Sequence, residues 1–334
     1  MNARKIERIE RALSAWEGQE TDCALCPREC HADRRRGPTG YCRTGTKAVI
    51  ASALLHFGEE PVLSGLHDCA DSESSNVLRH GSGTIFFCGC NLRCLFCQNY
   101  QISWLGRGRS VEDEELADIM LDLERRGALN INLVSPTQAI LPILRALRLA
   151  LGSGLSLPLV YNTNGYERAD VIERLAGIVD IYLPDCKYAL PEPAARLSGA
   201  ADYFVHAGPA LQEMFVQQPD LILDAGGLAS AGTIFRHLVL PGQVPNSLAV
   251  CDWLAETFRP TVPLSLMSQY RPCWRAPEDL RRPLLPDEYK AVLDRARRLG
   301  FDPLFAQPVL FTEDENLNPD FDRKSPFPWK RRKD

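Results

Sequence analysis

The 334-residue sequence has no uncharged apolar run near the roughly 18 residues needed to cross a bilayer, so no spanning helix is expected. Its opening residues carry Arg4, Lys5, Glu7, Arg8 and Glu10 and lack the apolar core of a secretory signal, which reads as a cytoplasmic chain. A formal net charge of -5 supplies no overall basic field, and specific nucleic-acid binding is not expected. No internal repeat is visible. Nor is the composition that of a disordered chain: 45% of residues are hydrophobic and 24% charged, enough for one large domain with a small appendage.

What the chain has in abundance is cysteine, with twelve residues, and disulfides do not persist in a reducing compartment. Seven of the twelve fall into two groups, a pattern that points to metal. Cys23, Cys26, Cys30 and Cys42 follow C-x2-C-x3-C-x11-C, and the turn-rich stretch from Arg34 to Gly40 brings the fourth thiol back toward the others. Four thiolates close the shell of a zinc ion or complete an iron-sulfur cluster. Cys90, Cys94 and Cys97 follow C-x3-C-x2-C, and three thiolates leave one iron of a [4Fe-4S] cluster open. Cys69, Cys88, Cys186, Cys251 and Cys273 lack ligand spacing and read as buried or incidental thiols. Cys88 lies close to the three-cysteine loop, but a fourth ligand there would close the open iron.

The apolar pattern predicts an α/β chain. Ile6, Ile9, Leu13 and Trp16 share one face of a first helix. Strands are expected at Thr84 to Phe87, Asn130 to Val134, Leu157 to Asn162, Val179 to Leu183, Phe235 to Leu240 and Pro263 to Met267. Helices are expected at Glu112 to Arg125, with Ser110 as its N-cap, and at Gln138 to Leu151, Arg168 to Ala176, Asn246 to Phe258 and Asp287 to Leu299, with weaker signals over 191–215. Alternation of this kind builds a mainly parallel sheet, and six strands suggest a partial, open (β/α)6 barrel. The expected organisation is an N-terminal helix and Cys-rich segment over 1–55, a core over 56–310, and a mobile or surface-draped tail over 311–334. The three-cysteine loop then follows the first strand, on the edge where parallel α/β proteins build active sites.

C-x3-C-x2-C with an aromatic residue, Phe96, before the last cysteine resembles the radical S-adenosylmethionine (SAM) superfamily. The N-terminal C-x-L-C-P-R-x-C run, His56-Phe-Gly-Glu-Glu-Pro61, Gly81-Ser-Gly-Thr-Ile-Phe-Phe87, Asn130-Ile-Asn-Leu-Val-Ser-Pro-Thr137, Val160-Tyr-Asn-Thr-Asn-Gly165 and Arg236-His-Leu-Val-Leu-Pro-Gly242 are similar to homologues of the pyruvate formate-lyase activating enzyme. The resemblance implies a radical SAM barrel in which a [4Fe-4S] cluster on Cys90, Cys94 and Cys97 cleaves SAM reductively for hydrogen abstraction from a substrate. It further implies SAM contacts from Phe96, Ser135, Asn162, Asn164, Asp185, Lys187 and Arg236. Lys187 and Arg236 would meet the SAM carboxylate, whereas Ser135-Pro136-Thr137 stands where many relatives carry Gly-Gly-Glu. His237, next to Arg236 on a strand, should face the other way and serve packing. An electron donor such as flavodoxin or ferredoxin and a protein substrate, a glycyl-radical enzyme among the candidates, are the implied partners. The competing reading is a SAM-binding or iron-sulfur redox-sensing protein without turnover.

Overall fold

The structure is a computed structural model that describes residues 2–65, 80–258, 261–308 and 318–327. Cys69 lies outside the described residues. Helix α1 (Asn2–Ala15) opens the chain and buries Ile9 and Ala12 against the core, with Lys5 paired to Asp180 at 2.6 Å. After the cysteine knuckle comes β1 (Ala48–His56), a single turn α2 (Pro61–Ser64) and β2 (Ser82–Phe87), buried along its whole length. The short helix α3 (Tyr100–Ser103) and strand β3 (Arg109–Val111) lead into α4 (Asp113–Arg125). Asp113, Glu114 and Glu115 in the first turn of α4 and Arg125 in its last complement the helix dipole. The expected cap does not form: Ser110 lies in β3, pairing with Val49, and Glu112 holds the N-cap position.

Three α/β units then repeat the same logic. Strand β4 (Ile131–Val134) precedes α5 (Ile140–Gly152), β5 (Leu159–Thr163) precedes α6 (Ala169–Glu173), and β6 (Ile181–Pro184) precedes α7 (Pro191–Ser198) and α8 (Tyr203–Gln217). Helix α6 is shorter than its sequence pattern suggests. The hairpin of β7 (Ile222–Leu223) and β8 (Ala229–Thr233) follows, then β9 (Phe235–Leu238), α9 (Val244–Thr257), β10 (Leu264–Met267), α10 (Pro286–Leu299) and β11 (Leu304–Ala306).

All six expected strands are present, as β2, β4, β5, β6, β9 and β10. The larger sheet has the order β3-β1-β2-β4-β5-β6-β8-β7 and the smaller β11-β10-β9. They join where Asp185, just past β6, forms a parallel bridge to Arg236, with Cys186 N donating to Arg236 O at 2.7 Å. The result is a mainly parallel array of the TIM-like kind, open among the described residues at its β3 and β11 edges. Strand β11 extends it at one end, and antiparallel β1 and β3 at the other were not expected from the sequence. Strand β1 also crosses the expected boundary at residue 55 to pair along β2.

The two larger clusters of buried side chains lie under this array, one from α1, α4 and α5 against β1 to β6, the other from α7 to α10 against β9 and β10. One turn shows how closely the strand ends approach: a Cβ on Gly165, at φ +79°, would stand 2.2 Å from Asp185 O. Only glycine fits there. The tail segment 318–327 is neither loose nor merely draped. Phe321 and Phe327 are buried with Phe86, at ring distances of 5.3 and 5.5 Å, and Gln101 binds Asp320 and the Phe321 amide. Among the described residues no helix is long and apolar enough to cross a membrane.

Candidate functional site

Strand β2 ends in the cysteine loop, and that loop is tied down from several sides. Arg93 N and Leu95 N donate to Ser198 O and Leu197 O at 3.1 and 2.9 Å, fixing it to the end of α7. The Gln138 amide donates to Cys88 O, Gly89 O and Ser135 O at 3.0, 2.9 and 2.8 Å, joining the loop to the turn after β4. Leu92 and Phe96 are buried, so the loop has an apolar underside.

The three thiols face one cavity of about 420 Å³, a volume suited to a small-molecule ligand. Donors surround the sulfurs: Leu92 N and Asn164 Nδ2 each stand 3.4 Å from Cys90 Sγ, Ser198 Oγ 3.0 Å from Cys94 Sγ, and Ser103 Oγ 3.2 Å from Cys97 Sγ. Burial and then Cys94 push the Cys90 thiol up to about 11, and burial pushes Cys97 up to about 12. Without a cation these groups stay protonated near neutral pH, whereas bound iron would favour thiolates that the surrounding N–H and O–H groups can meet. The donor set therefore fits a cluster. Cys88 does not join it: its buried thiol turns to Arg107 O at 3.4 Å.

The strand ends place every SAM residue expected from the sequence around that same cavity. Phe96 lies 6.1 Å from the Tyr270 ring, and Ser135 takes φ 57° in the turn after β4, its N–H donating to Asn162 O at 2.9 Å. Asn164 bonds Asn91 Oδ1 at 2.8 Å as well as Cys90, joining the β5 turn to the cysteine loop. Lys187 pairs with Asp185 at 2.5 Å. Burial would lower the Lys187 ammonium, but the Asp185 carboxylate beside it outweighs this and holds the group charged.

Arg236 departs from its expected freedom. Glu59 and Glu60, both nearly inaccessible, stand 3.4 Å from its guanidinium, and Met267 Sδ accepts from Nη2 at 3.3 Å. Burial acts to lower its pKa, yet Glu60, Glu59 and Asp185 raise it above the usual value. A guanidinium already shared between two carboxylates offers less to a third, whereas the Lys187 ammonium is paired with one, Asp185. His237 faces away, as expected, bonding Cys186 O and Ser247 Oγ at 2.7 and 2.9 Å. Met267 is buried yet lines the cavity.

Sequence reasoning missed Glu59, Glu60 and Glu167. The two adjacent carboxylates had a signal in their motif, but their meeting with Arg236 is a matter of tertiary placement. Glu167 is fully buried and accepts from Thr137 and Thr163 at 2.5 Å each and from Tyr161 at 3.4 Å. It pins the turns after β4 and β5 together. Burial raises its pKa to about 7, although these three donors act to lower it.

The N-terminal cysteines lie behind the same loop. Cys23, Cys26, Cys30 and Cys42 line a second, smaller cavity of about 20 Å³ with Arg34, Asn91 and Gln138. Arg34 is 3% exposed, bonds Thr44 Oγ1 at 2.8 Å and also Gln138 O, and leaves its buried Nε without a partner. An unmet cationic donor beside four thiols suits an anionic metal-thiolate centre. The packing is intimate: a Cβ on Gly89 would come within 2.6 Å of Cys42 O. Among the described residues no three His, Cys, Asp or Glu side chains converge on a point suited to one metal ion.

Comparison with known proteins adds to this geometry. Residues 84–248 match the family model described as the radical SAM superfamily. An uncharacterized protein of Methanocaldococcus jannaschii is 30% identical over 300 residues, covering 85% of this chain and 77% of that protein. Among solved structures, HydG, a maturase of the [FeFe]-hydrogenase, is similar with a TM-score of 0.43 and 12% identity, over 63% of this chain and 47% of HydG. The chain thus spans less than half the length of that structure.

Proposed function

The chain belongs to the radical SAM superfamily, and on that footing we propose that it is an enzyme in which Cys90, Cys94 and Cys97 hold the [4Fe-4S] cluster that opens SAM for hydrogen abstraction. The observation that carries this reading is the opening of all three thiols into the cavity that also takes in Asn162, Asn164, Asp185 and Lys187. The cluster and SAM together supply one-electron cleavage of a carbon-sulfur bond and a 5′-deoxyadenosyl radical. The chain's own residues bind and orient. Lys187 meets the SAM carboxylate by charge pairing, with Asp185 holding the ammonium in place. Asn162, Asn164 and Ser135 present polar groups from the strand-end turns, and Phe96 supplies an apolar wall for the adenine. Arg236, fixed by Glu59 and Glu60, acts through shape and charge at the far wall more than as a free carboxylate clamp.

The four N-terminal cysteines take a second metal, zinc or an auxiliary iron-sulfur cluster, with Arg34 facing it. The substrate is of the class served by radical hydrogen abstraction, and the resemblance to activating enzymes makes a glycyl-radical protein the first target to try. Anaerobic reconstitution should load about four iron atoms on the three-cysteine loop, and reduction with SAM should yield 5′-deoxyadenosine. A fully loaded protein that binds SAM and never cleaves it under several reductants would replace this reading with that of a SAM-binding redox sensor.

A further inference from the structure

The cysteine loop has a second face, turned away from the cavity, where arginines and aromatic rings alternate. The Arg28 guanidinium lies 4.0 Å from the Tyr41 ring centre, and Arg93 lies 4.5 Å from the same ring and 5.5 Å from Trp104. Arg275 continues the series at 5.3 Å from Trp104 and 5.0 Å from Trp274. This ladder rests directly on the backbone that carries the thiols. Trp104 Nε1 donates to Cys94 O at 3.1 Å, Arg93 Nη1 to Cys90 O at 2.9 Å, and Arg275 N to Leu95 O at 2.9 Å.

Its charge is not neutralised locally. Elsewhere the arginines tend to be met by carboxylates, as with Arg145 between Glu20 and Asp113, or Arg168 between Glu29 and Asp170. Among the described residues no carboxylate forms an ion pair with Arg28, Arg93 or Arg275, and Arg275 is exposed. On a chain of net charge -5, an unpaired basic strip is the place where an acidic protein meets attraction instead of repulsion. Tryptophan, tyrosine and arginine are also the residues that dominate protein interfaces.

We infer that this ladder is the docking face for an acidic one-electron carrier protein, which reduces the cluster across the single layer of loop backbone beneath Trp104. The inference rests on the proposed cluster at Cys90, Cys94 and Cys97. The reduced flavin or iron-sulfur group of the carrier loses one electron and the cluster gains it, with no bond made or broken in that step. Half-buried Tyr41, Trp104 and Trp274 give the carrier an apolar contact, and the guanidiniums between them select for acidic side chains.

The test compares two reductants on the reconstituted full chain, following cluster reduction optically. With reduced flavodoxin as probe, the rate should fall as salt is raised, and Arg275→Glu should slow it about tenfold. Arg4→Glu, the same charge change on exposed α1, should leave it near wild type, and dithionite should reduce all three proteins equally. The inference is overturned if Arg275→Glu and Arg4→Glu respond alike, or if Arg275→Glu reduces as fast as wild type, which is also what a face reserved for a protein substrate would give. Because reduction is read without SAM, absence of 5′-deoxyadenosine after dithionite would strike the functional reading and leave this result standing.

Discussion

Two cysteine groups lie back to back across the segment from Gly89 to Asn91, and their local spacings are mirror images, C-x2-C-x3-C at Cys23, Cys26 and Cys30 against C-x3-C-x2-C at Cys90, Cys94 and Cys97. Their surroundings differ completely. The N-terminal group gains a fourth thiol, Cys42, and lines a cavity of about 20 Å³, with Cys30 exposed, while the loop group gains none and opens into about 420 Å³ lined by strand ends. Cys88, the nearest candidate to complete the loop group, is turned toward Arg107 O. Spacing alone therefore sets ligand number at most. How much space faces a centre follows from what the rest of the fold places opposite it.

The sharpest way to break this contrast is to remove a thiol from the open group. Cys94→Ala should cut 5′-deoxyadenosine formation by more than about a hundredfold and lose the iron of the loop, since even ligand-supporting residues cost tenfold to a hundredfold in metal affinity. Cys88→Ala should keep both, as iron analysis and product chromatography would show.

Removing a thiol from the N-terminal group should act on a different quantity. Cys26→Ala is expected to shed the second metal and lower the thermal unfolding midpoint by several degrees while leaving about four iron atoms on the loop. Metal analysis of a Cys90, Cys94, Cys97 to Ala triple variant completes the comparison. Retained iron identifies an iron-sulfur cluster in the N-terminal group, and retained zinc a single ion.

Glu167 sits between the two regions and carries the next effect. Its folded pKa of about 7 lies above the ordinary carboxylate value of 4.5, so the folded state holds its proton more tightly than the unfolded chain. Stability from this group is complete below the ordinary value and is lost as pH rises toward about 7. The loss is about 3 kcal/mol at most, from 1.36 kcal/mol per pKa unit. Glu167→Gln should flatten that part of the curve in denaturant titrations at several pH values. An unchanged slope would mean that Glu167 stays ionised in the fold.

The smallest expected change separates the two cations of the open cavity. Lys187→Ala should weaken SAM binding about tenfold by calorimetry, the worth of one charge-assisted hydrogen bond. Arg236→Ala should weaken it less and destabilise the fold more, because it strands Glu59 and Glu60 in a buried place. Equal losses of affinity would restore Arg236 as a direct SAM ligand.

Much of the architecture was legible because it is local. Apolar runs such as Ile131–Val134 and Ile181–Pro184 fit buried parallel strands, and the helical spacing of Leu116, Met120 and Leu123 marks α4. Strand β1 was not legible, since Ala48–His56 mixes half-buried positions without clean alternation and its identity depends on pairing with β2. Ser110 reads as a cap by residue type, but the ladder to Val49 claims its backbone. Phe321 and Phe327 sit in a stretch with no periodic pattern, and tertiary contact with Phe86 and, for Phe327, with His56 gives them a buried role.

By itself the sequence determined the alternation of strands and helices, the number of thiols in each group and the place of the loop at the end of β2, because these depend on residue type and short spacing. Tertiary structure alone decided that Arg236 is shared by Glu59 and Glu60, that Glu167 ties two strand-end turns together, and that one cysteine group lines a small cavity and the other a large one. Those outcomes depend on distances between residues far apart in the chain, and packing sets them.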